Sequence, residues 1–171
     1  MKKILTIVLL FLVIALGVAL YFSFNKKQPA ATTTTPPAAV IYTNNDFSFS
    51  FSLPGSWRGY SIVTDKWEGY SLSSAADGQK ITERGPLISI RHPEWTPQTP
   101  RQDMPIMIFT LKQWGDLQQD KFHIGASPIG PSELGRNNKY VFALPARYNF
   151  AFPTGFEEVD SIIKSSPLRA F

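Results

Sequence analysis

Cysteine is absent from this chain of 171 residues, and histidine occurs only twice, as His92 and His123. The absence of cysteine excludes disulfides, thiolate metal sites and a cysteine nucleophile. The two histidines are 31 positions apart, which matches no metal-ligand spacing, and we expect both at surface or loop positions. The sequence therefore predicts no metal site and no bound cofactor.

Motifs of the common enzyme classes are missing as well. The chain contains no Walker loop, no G-x-G-x-x-G and no G-x-S-x-G nucleophile elbow. His92-Pro93-Glu94 has the H-x-E pattern that zinc deaminases use, but those enzymes also need a P-C-x-x-C segment. A Ser-His-Asp triad has no positive sign in the sequence. We therefore predict no catalytic residue.

The chain has a net charge of +4, but the positive excess lies outside the candidate domain. Four of the 17 Lys and Arg residues fall in residues 1–39, which contain no acid. Residues 40–171 are left with 13 basic and 13 acidic residues. A nucleic-acid-binding domain carries its positive excess in the domain itself, so nucleic acid is not an expected partner.

The longest apolar stretch covers residues 4–22, which carry no charge and are flanked by two lysines on each side. As a helix it would be roughly 28 Å long, close to the ~30 Å hydrocarbon core of a bilayer. Residues 1–27 therefore predict a transmembrane anchor with basic flanks, whose expected partner is the lipid bilayer. A cleaved signal peptide and a buried core helix are the alternatives. The apolar region is long for a signal peptide, and no Ala-x-Ala site lies near its end.

The orientation of the anchor follows from its short N-terminal side. The equal lysine counts leave the positive-inside rule undecided, but the free amino terminus adds charge at that side, and long domains translocate regardless of charge. We expect a single-pass protein in a cell membrane of the bacterial kind, with a cytoplasmic N-terminus and an extracytoplasmic domain. Residues 28–39, QPAATTTTPPAA, lack charged and large apolar residues and predict an extended linker of roughly 35–40 Å.

Residues 40–171 predict one globular α+β domain, an antiparallel sheet with helices packed on it. The clearest strand signal is the strict alternation of four large apolar residues with three serines: Phe47, Phe49, Phe51 and Leu53. Other strands are predicted at residues 40–43, 60–64, 70–74, 86–92, 106–109, 122–126, 133–135 and 139–144. Helices are predicted at residues 111–120 and 156–165, the second with Thr154 and Glu157 as its capping box.

Two stretches resemble PsbP-like domains. A short strand and a polar turn lead into F-S-F-S-F-S-L-P-G-S-W at residues 47–57, and GFEEVDSIIKS at residues 155–165 is similar to the closing helix of that family. The resemblance covers the two ends of the domain and implies an α/β/α sandwich around an antiparallel sheet. It implies no catalytic or binding residue, because the family includes accessory photosystem subunits and extracytoplasmic domains of unknown role.

Aromatic residues supply the candidate contact sites. Trp95 lies in a proline-rich loop over residues 93–105, and a long loop of this kind is often functional. Residues 147–152, RYNFAF, form a second candidate contact loop, whose alternative is a strand-to-helix connection packed by its phenylalanines. The predicted partner contacts are Trp95, Tyr148, Trp57 and Trp114.

The first functional hypothesis is a membrane-anchored extracytoplasmic module, not an enzyme, that binds an unidentified protein or envelope component. The second is a small-molecule or lipid-binding domain with an aromatic cavity between sheet and helices. A hydrolase without a recognisable motif is the third.

Overall fold

The computed structural model describes residues 38–72, 80–125 and 129–171, which all belong to one compact unit. The predicted anchor over residues 1–27 and nearly all of the predicted linker over residues 28–39 lie outside these ranges. Within them, no helix is both long and apolar enough to cross a bilayer. The anchor, its orientation and the linker therefore stay predictions.

The described residues form nine strands, two α-helices and one 3₁₀ turn. The strands are β1 Val40–Asn44, β2 Phe49–Leu53, β3 Ser61–Tyr70, β4 Ile81–Arg91, β5 Met104–Thr110, β6 His123–Ile124, β7 Ser132–Arg136, β8 Tyr140–Leu144 and β9 Leu168–Ala170. The helices are α1 Leu111–Gln118 and α2 Phe156–Lys164, and the 3₁₀ turn is Gly55–Trp57.

The strands pair in two sheets, and each pairing between strands is antiparallel. The small sheet has the order β1-β2-β9, and the large one has the order β6-β3-β4-β5-β8-β7. The prediction of an α+β domain built on an antiparallel sheet is confirmed. The pairs β1–β2 and β7–β8 form hairpins.

Neighbouring residues of the central strands point to opposite faces of the large sheet. Both faces are buried, each by its own core cluster. On one face, Ile106 and Ile108 pack with residues of the small sheet and α2, including Phe51 and Val159. On the other face, the core cluster consists of residues from the sheet, from α1 and from the segment after α1: Trp67, Met107, Phe109, Trp114, Leu117, Phe122, Val141 and Ala143. The two helices thus cover opposite faces of one sheet.

Several strands differ from their predicted bounds. β3 runs without a break from Ser61 to Tyr70, where the sequence predicts two strands separated by residues 65–69. The charged residues Asp65 and Lys66 interrupt the apolar pattern, so the sequence does not predict one continuous strand. In the structure both lie at exposed positions of β3, while Trp67 is buried. β4 begins five residues earlier than predicted, and β9 is not predicted at all.

Both predicted helices form, but the capping box lies on α1 and not on α2. The Thr154–Glu157 capping box is wrong, because Gly155, at a φ of 84°, is the N-cap of α2 and no side chain caps it. The complete capping box lies on α1, where Thr110 accepts from the Gln113 backbone and the Gln113 side chain accepts from the Thr110 backbone. This box stabilises α1 despite the glycine in its middle.

Candidate functional site

Two long loops meet at one end of the large sheet. Residues 92–103 connect β4 to β5, and residues 145–155 connect β8 to α2. Because β5 pairs with both β4 and β8, the two loops leave the sheet at the same end. Gln102 joins them, since its backbone N–H donates to Thr154 O at 2.8 Å and its side-chain Nε2 donates to Tyr148 O at 3.2 Å. We call residues 92–103 and 145–155 the two-loop site.

Arg101 is the ionic centre of the two-loop site. Its guanidinium donates to Glu94 at 2.8 Å and lies 3.6 Å from a carboxylate oxygen of Glu158 on α2. The Glu158 carboxylate also accepts from the Ser56 hydroxyl at 2.7 Å. A side chain at Gly155 would begin 3.3 Å from the guanidinium, so glycine at the start of α2 leaves room for Arg101. Both carboxylates are therefore already engaged by protein groups.

His92 lies in the first loop, as expected, but it is buried rather than at the surface. It is 4% exposed, and its ring meets the ring of Trp57 edge-on at 5.0 Å. Its Nδ1 accepts the backbone N–H of Glu94 at 3.1 Å, which leaves the proton of the neutral ring on Nε2. Burial lowers the pKa of His92, and the charge of Arg101 lowers it further. His92 is thus a neutral, structural part of the loop at neutral pH.

Trp95 is fixed at the outer side of the same loop. The guanidinium of Arg91 lies 3.9 Å from the centre of the Trp95 ring, a cation–π geometry. Arg91 in turn forms an ion pair with Asp103 at 2.7 Å, so both ends of the loop hold the tryptophan in place. Trp95 is partly exposed in this position.

Tyr148 fastens the second loop to α2. Its hydroxyl donates to the Asp160 carboxylate, which also accepts from Asn149 Nδ2 at 3.4 Å. Burial and the Asp160 carboxylate raise the pKa of the Tyr148 phenol above its usual value. The phenol is therefore a permanent hydrogen-bond donor to Asp160 at any physiological pH.

The tip of the second loop presents two phenylalanines to solvent. Phe150 is 75% exposed and Phe152 is 70% exposed, more than the other large hydrophobic residues in the described ranges. They line a shallow surface groove together with Arg147, Asn149 and Ala151. The alternative prediction is half right: the segment does connect a strand to a helix, but the two phenylalanines do not pack it. Both are exposed, and among the described residues the one ring contact they make is that of Phe152 with Phe156 at 5.1 Å.

The two-loop site contains no paired nucleophile and base. No group of three or more metal-ligating side chains occurs among the described residues. The Ser56 hydroxyl donates to Glu158 and His92 accepts from a backbone N–H, so these two residues do not form a nucleophile–base pair. Among the described residues, two buried side-chain polar atoms lack a hydrogen-bond partner: Trp57 Nε1 and Gln102 Oε1. Gln102 belongs to the two-loop site, and the ring of Trp57 packs against His92 of that site.

The structure brings three of the four predicted contact residues to this end of the molecule. Trp95 and Tyr148 belong to the two-loop site, and Trp57 lies beneath it in the core, 1% exposed. Trp114 lies on the opposite face of the large sheet, 9% exposed, in contact with Phe109. Sequence reasoning missed Arg101 and Gln102; the only available signal was their position in a long proline-rich loop.

Comparison with known proteins adds no relative. The chain matches no protein-family model, and no curated protein or solved structure matches it significantly. The two-loop site must therefore be interpreted from its own geometry.

Proposed function

We propose that this protein is a membrane-anchored, extracytoplasmic binding module that contacts a protein or another envelope component through the two-loop site. The observation that carries the proposal is the exposure of Phe150 and Phe152 on a loop that is fixed to the domain. Large exposed apolar groups on an otherwise well-packed domain mark interaction sites. The two-loop site holds no catalytic constellation, which favours binding over turnover.

Predictions from the sequence support the same role. The anchor over residues 4–22 would hold the domain at a membrane, and the linker over residues 28–39 would let it reach a partner. We also propose the finer fold, a PsbP-like α/β/α sandwich, on the basis of the opening hairpin, the closing helix and the two helices on opposite sheet faces. A small-molecule or lipid-binding cavity stays the second hypothesis.

Site-specific photocross-linking in the native membrane tests the proposal. A photoreactive aromatic amino acid replaces Phe150 in the full-length chain, and the matched control carries it at Ile41, which is 64% exposed on β1. We expect an adduct with an envelope component, protein or lipid, from position 150 and none from position 41. Equal adducts from both positions, or none from position 150, would contradict a specific contact through this loop.

A further inference from the structure

We infer that Phe150 and Phe152 insert into the headgroup region of an anionic lipid bilayer, the same membrane that is predicted to hold the anchor. This inference rests on the proposed function, since it names the envelope component that the two-loop site contacts. It differs from the proposed function in requiring no protein partner. The domain would then lie against the membrane instead of standing away from it.

The shape of the loop fits a surface more than a deep pocket. Phe150 and Phe152 project from one short turn and flank a shallow groove. Apolar aromatic side chains of elements that lie on a membrane surface are buried at the boundary between headgroups and acyl chains. Because each ring is more than two-thirds exposed, insertion would remove apolar surface from water without any rearrangement of the core.

The backbone of the loop is held in a costly conformation that keeps the rings outward. Three non-glycine residues have positive φ, Arg147 at 54°, Ala151 at 75° and Phe152 at 47°. Backbone hydrogen bonds of 2.9 Å from Phe150 N to Arg147 O and from Phe152 N to Asn149 O close two successive turns. Strained non-glycine residues cluster at functional sites. The exposure of the two rings is thus built into the loop and is not the result of a loose segment.

The charge of the loop favours an anionic surface. Residues 145–153 contain one basic residue, Arg147, and no acid. Arg147 is exposed and, within the described ranges, forms no ion pair. An arginine beside exposed aromatic residues matches the headgroup region, where phosphate attracts the cation and the rings reach the acyl boundary. On the packed helix, the Asp160 carboxylate accepts from the Tyr148 hydroxyl and from Asn149 Nδ2.

The predicted linker is long enough for this contact. Ala39, the last residue of the predicted linker, lines a surface groove together with Ser161 of α2 and with Ser165, which follows that helix. Phe152 contacts Phe156 at the start of α2. The helix has nine residues, so these two points are roughly 10–15 Å apart along it. Twelve extended linker residues reach roughly 35–40 Å, which exceeds this separation. This reach also exceeds the diameter of such a domain, which is roughly 28 Å when taken as twice the expected radius of gyration.

The test places a spin label in the loop of the full-length chain. The chain has no cysteine, so Ala151→Cys provides a single labelling position between the two phenylalanines. The matched control is Thr64→Cys on β3, which is exposed. Each labelled chain is reconstituted in bilayer discs of mixed phosphatidylcholine and phosphatidylglycerol. Collisions with oxygen and with a water-soluble nickel complex then report whether the label lies in lipid or in water.

We expect the label at position 151 to be shielded from nickel and accessible to oxygen, and the label at position 64 to stay in water. Phe150→Ser and Phe152→Ser should each lower the ratio of inserted to free loop about tenfold, equivalent to about 1.4 kcal/mol. Ile41→Ser, which removes an apolar residue that is 64% exposed elsewhere on the domain, should leave the ratio unchanged. Discs of phosphatidylcholine alone should show a smaller inserted fraction.

Failure of this inference is distinguishable from failure of the proposed function. A label that stays in water in the discs overturns the lipid contact. If a photoreactive group at position 150 then captures an envelope protein, the two-loop site remains a binding site, but for a protein. If it captures nothing, both the inference and the proposed function are overturned.

Discussion

Gly85 lies against the indole ring of Trp67. This contact provides a test of the core packing on the face of the large sheet that α1 covers. The two residues face each other across the β3–β4 pair, and Trp67 is 4% exposed. A Cβ atom on Gly85 would lie 2.5 Å from three ring atoms, Cε2, Cζ2 and Nε1. Gly85→Ala therefore forces the ring to move by roughly 1 Å to restore ordinary carbon contacts. The ring is also stacked on Phe109 at 4.3 Å, which restricts that movement.

The displaced ring would also lose its hydrogen bond. Trp67 Nε1 donates to Ile108 O at 2.8 Å. In the β4–β5 pair, Leu87 lies opposite Met107, so Pro86 lies opposite Ile108 when this register is extended by one residue. Because Pro86 has no N–H, the indole N–H of Trp67 is the donor to the Ile108 carbonyl. An unpaired buried carbonyl costs about 1–3 kcal/mol, and overpacking costs about 1–3 kcal/mol. We expect Gly85→Ala to lower the free energy of unfolding by about 2–5 kcal/mol.

Urea unfolding of the full-length chain measures the effect, and Gly115→Ala is the matched control. Nothing lies within 4 Å of a Cβ atom at Gly115, which is inside α1. The control should therefore stabilise the protein by about 0.5–1 kcal/mol, because alanine is the better helix former. A Gly85→Ala variant as stable as the control would refute the described packing. In a Trp67→Phe background, the smaller ring should reduce the cost of Gly85→Ala.

Two further predictions concern the two-loop site. The pKa of His92 is lowered by burial, so the unfolded chain binds protons more readily, and stability should fall as the pH drops from about 7.5 to about 5.5. His92→Gln should lose less stability over this range in urea unfolding, and equal losses would contradict the prediction. Tyr148→Phe removes the donor to Asp160 and should lower the free energy of unfolding by about 1–2 kcal/mol. Tyr140→Phe, whose hydroxyl has no hydrogen bond in the described ranges, should change it little; similar losses for both would argue against the Asp160 contact.

Local patterns in the sequence were sufficient to predict most of the fold. The alternation at residues 47–53 places Phe49, Phe51 and Leu53 in the core, and the 3.6-residue spacing of the last helix buries Val159 and Ile162. These signals are local, because each depends on neighbours within one strand or one helix. The antiparallel α+β class follows from them, since no alternating order of strands and helices suggests a parallel sheet.

Features that depend on distant residues could not be predicted. β9 has only three residues and exists because Leu168 and Ala170 pair with Phe51 and Phe49, more than 110 positions earlier. The N-cap of α2 is the left-handed Gly155, which lies against the guanidinium of Arg101, 54 positions earlier. Neither contact is visible in the surrounding sequence.

The candidate site shows the same division. Trp95 and Tyr148 are conspicuous as aromatic residues in loop segments, and the sequence identifies both loops. The pairing of those loops depends on contacts between residues 46 to 57 positions apart, such as Gln102 with Tyr148 and Arg101 with Glu158. Sequence reasoning therefore found the aromatic residues of the site but not the charged and amide groups that hold the loops together.

The predicted anchor changes what affinity the exposed phenylalanines need. Two rings of roughly 200 Å² each, exposed by 75% and 70%, offer about 290 Å² of apolar surface, which is worth at most about 7 kcal/mol on complete burial. Headgroup contact would bury only part of this area, so the free domain would bind lipid weakly. The predicted linker would, however, keep the loop at an effective concentration of about millimolar near the membrane, where about 4 kcal/mol is sufficient for half occupancy. The proposed contact therefore depends on the anchor, and a chain that loses its anchor should lose the contact while its fold and its two-loop site stay intact.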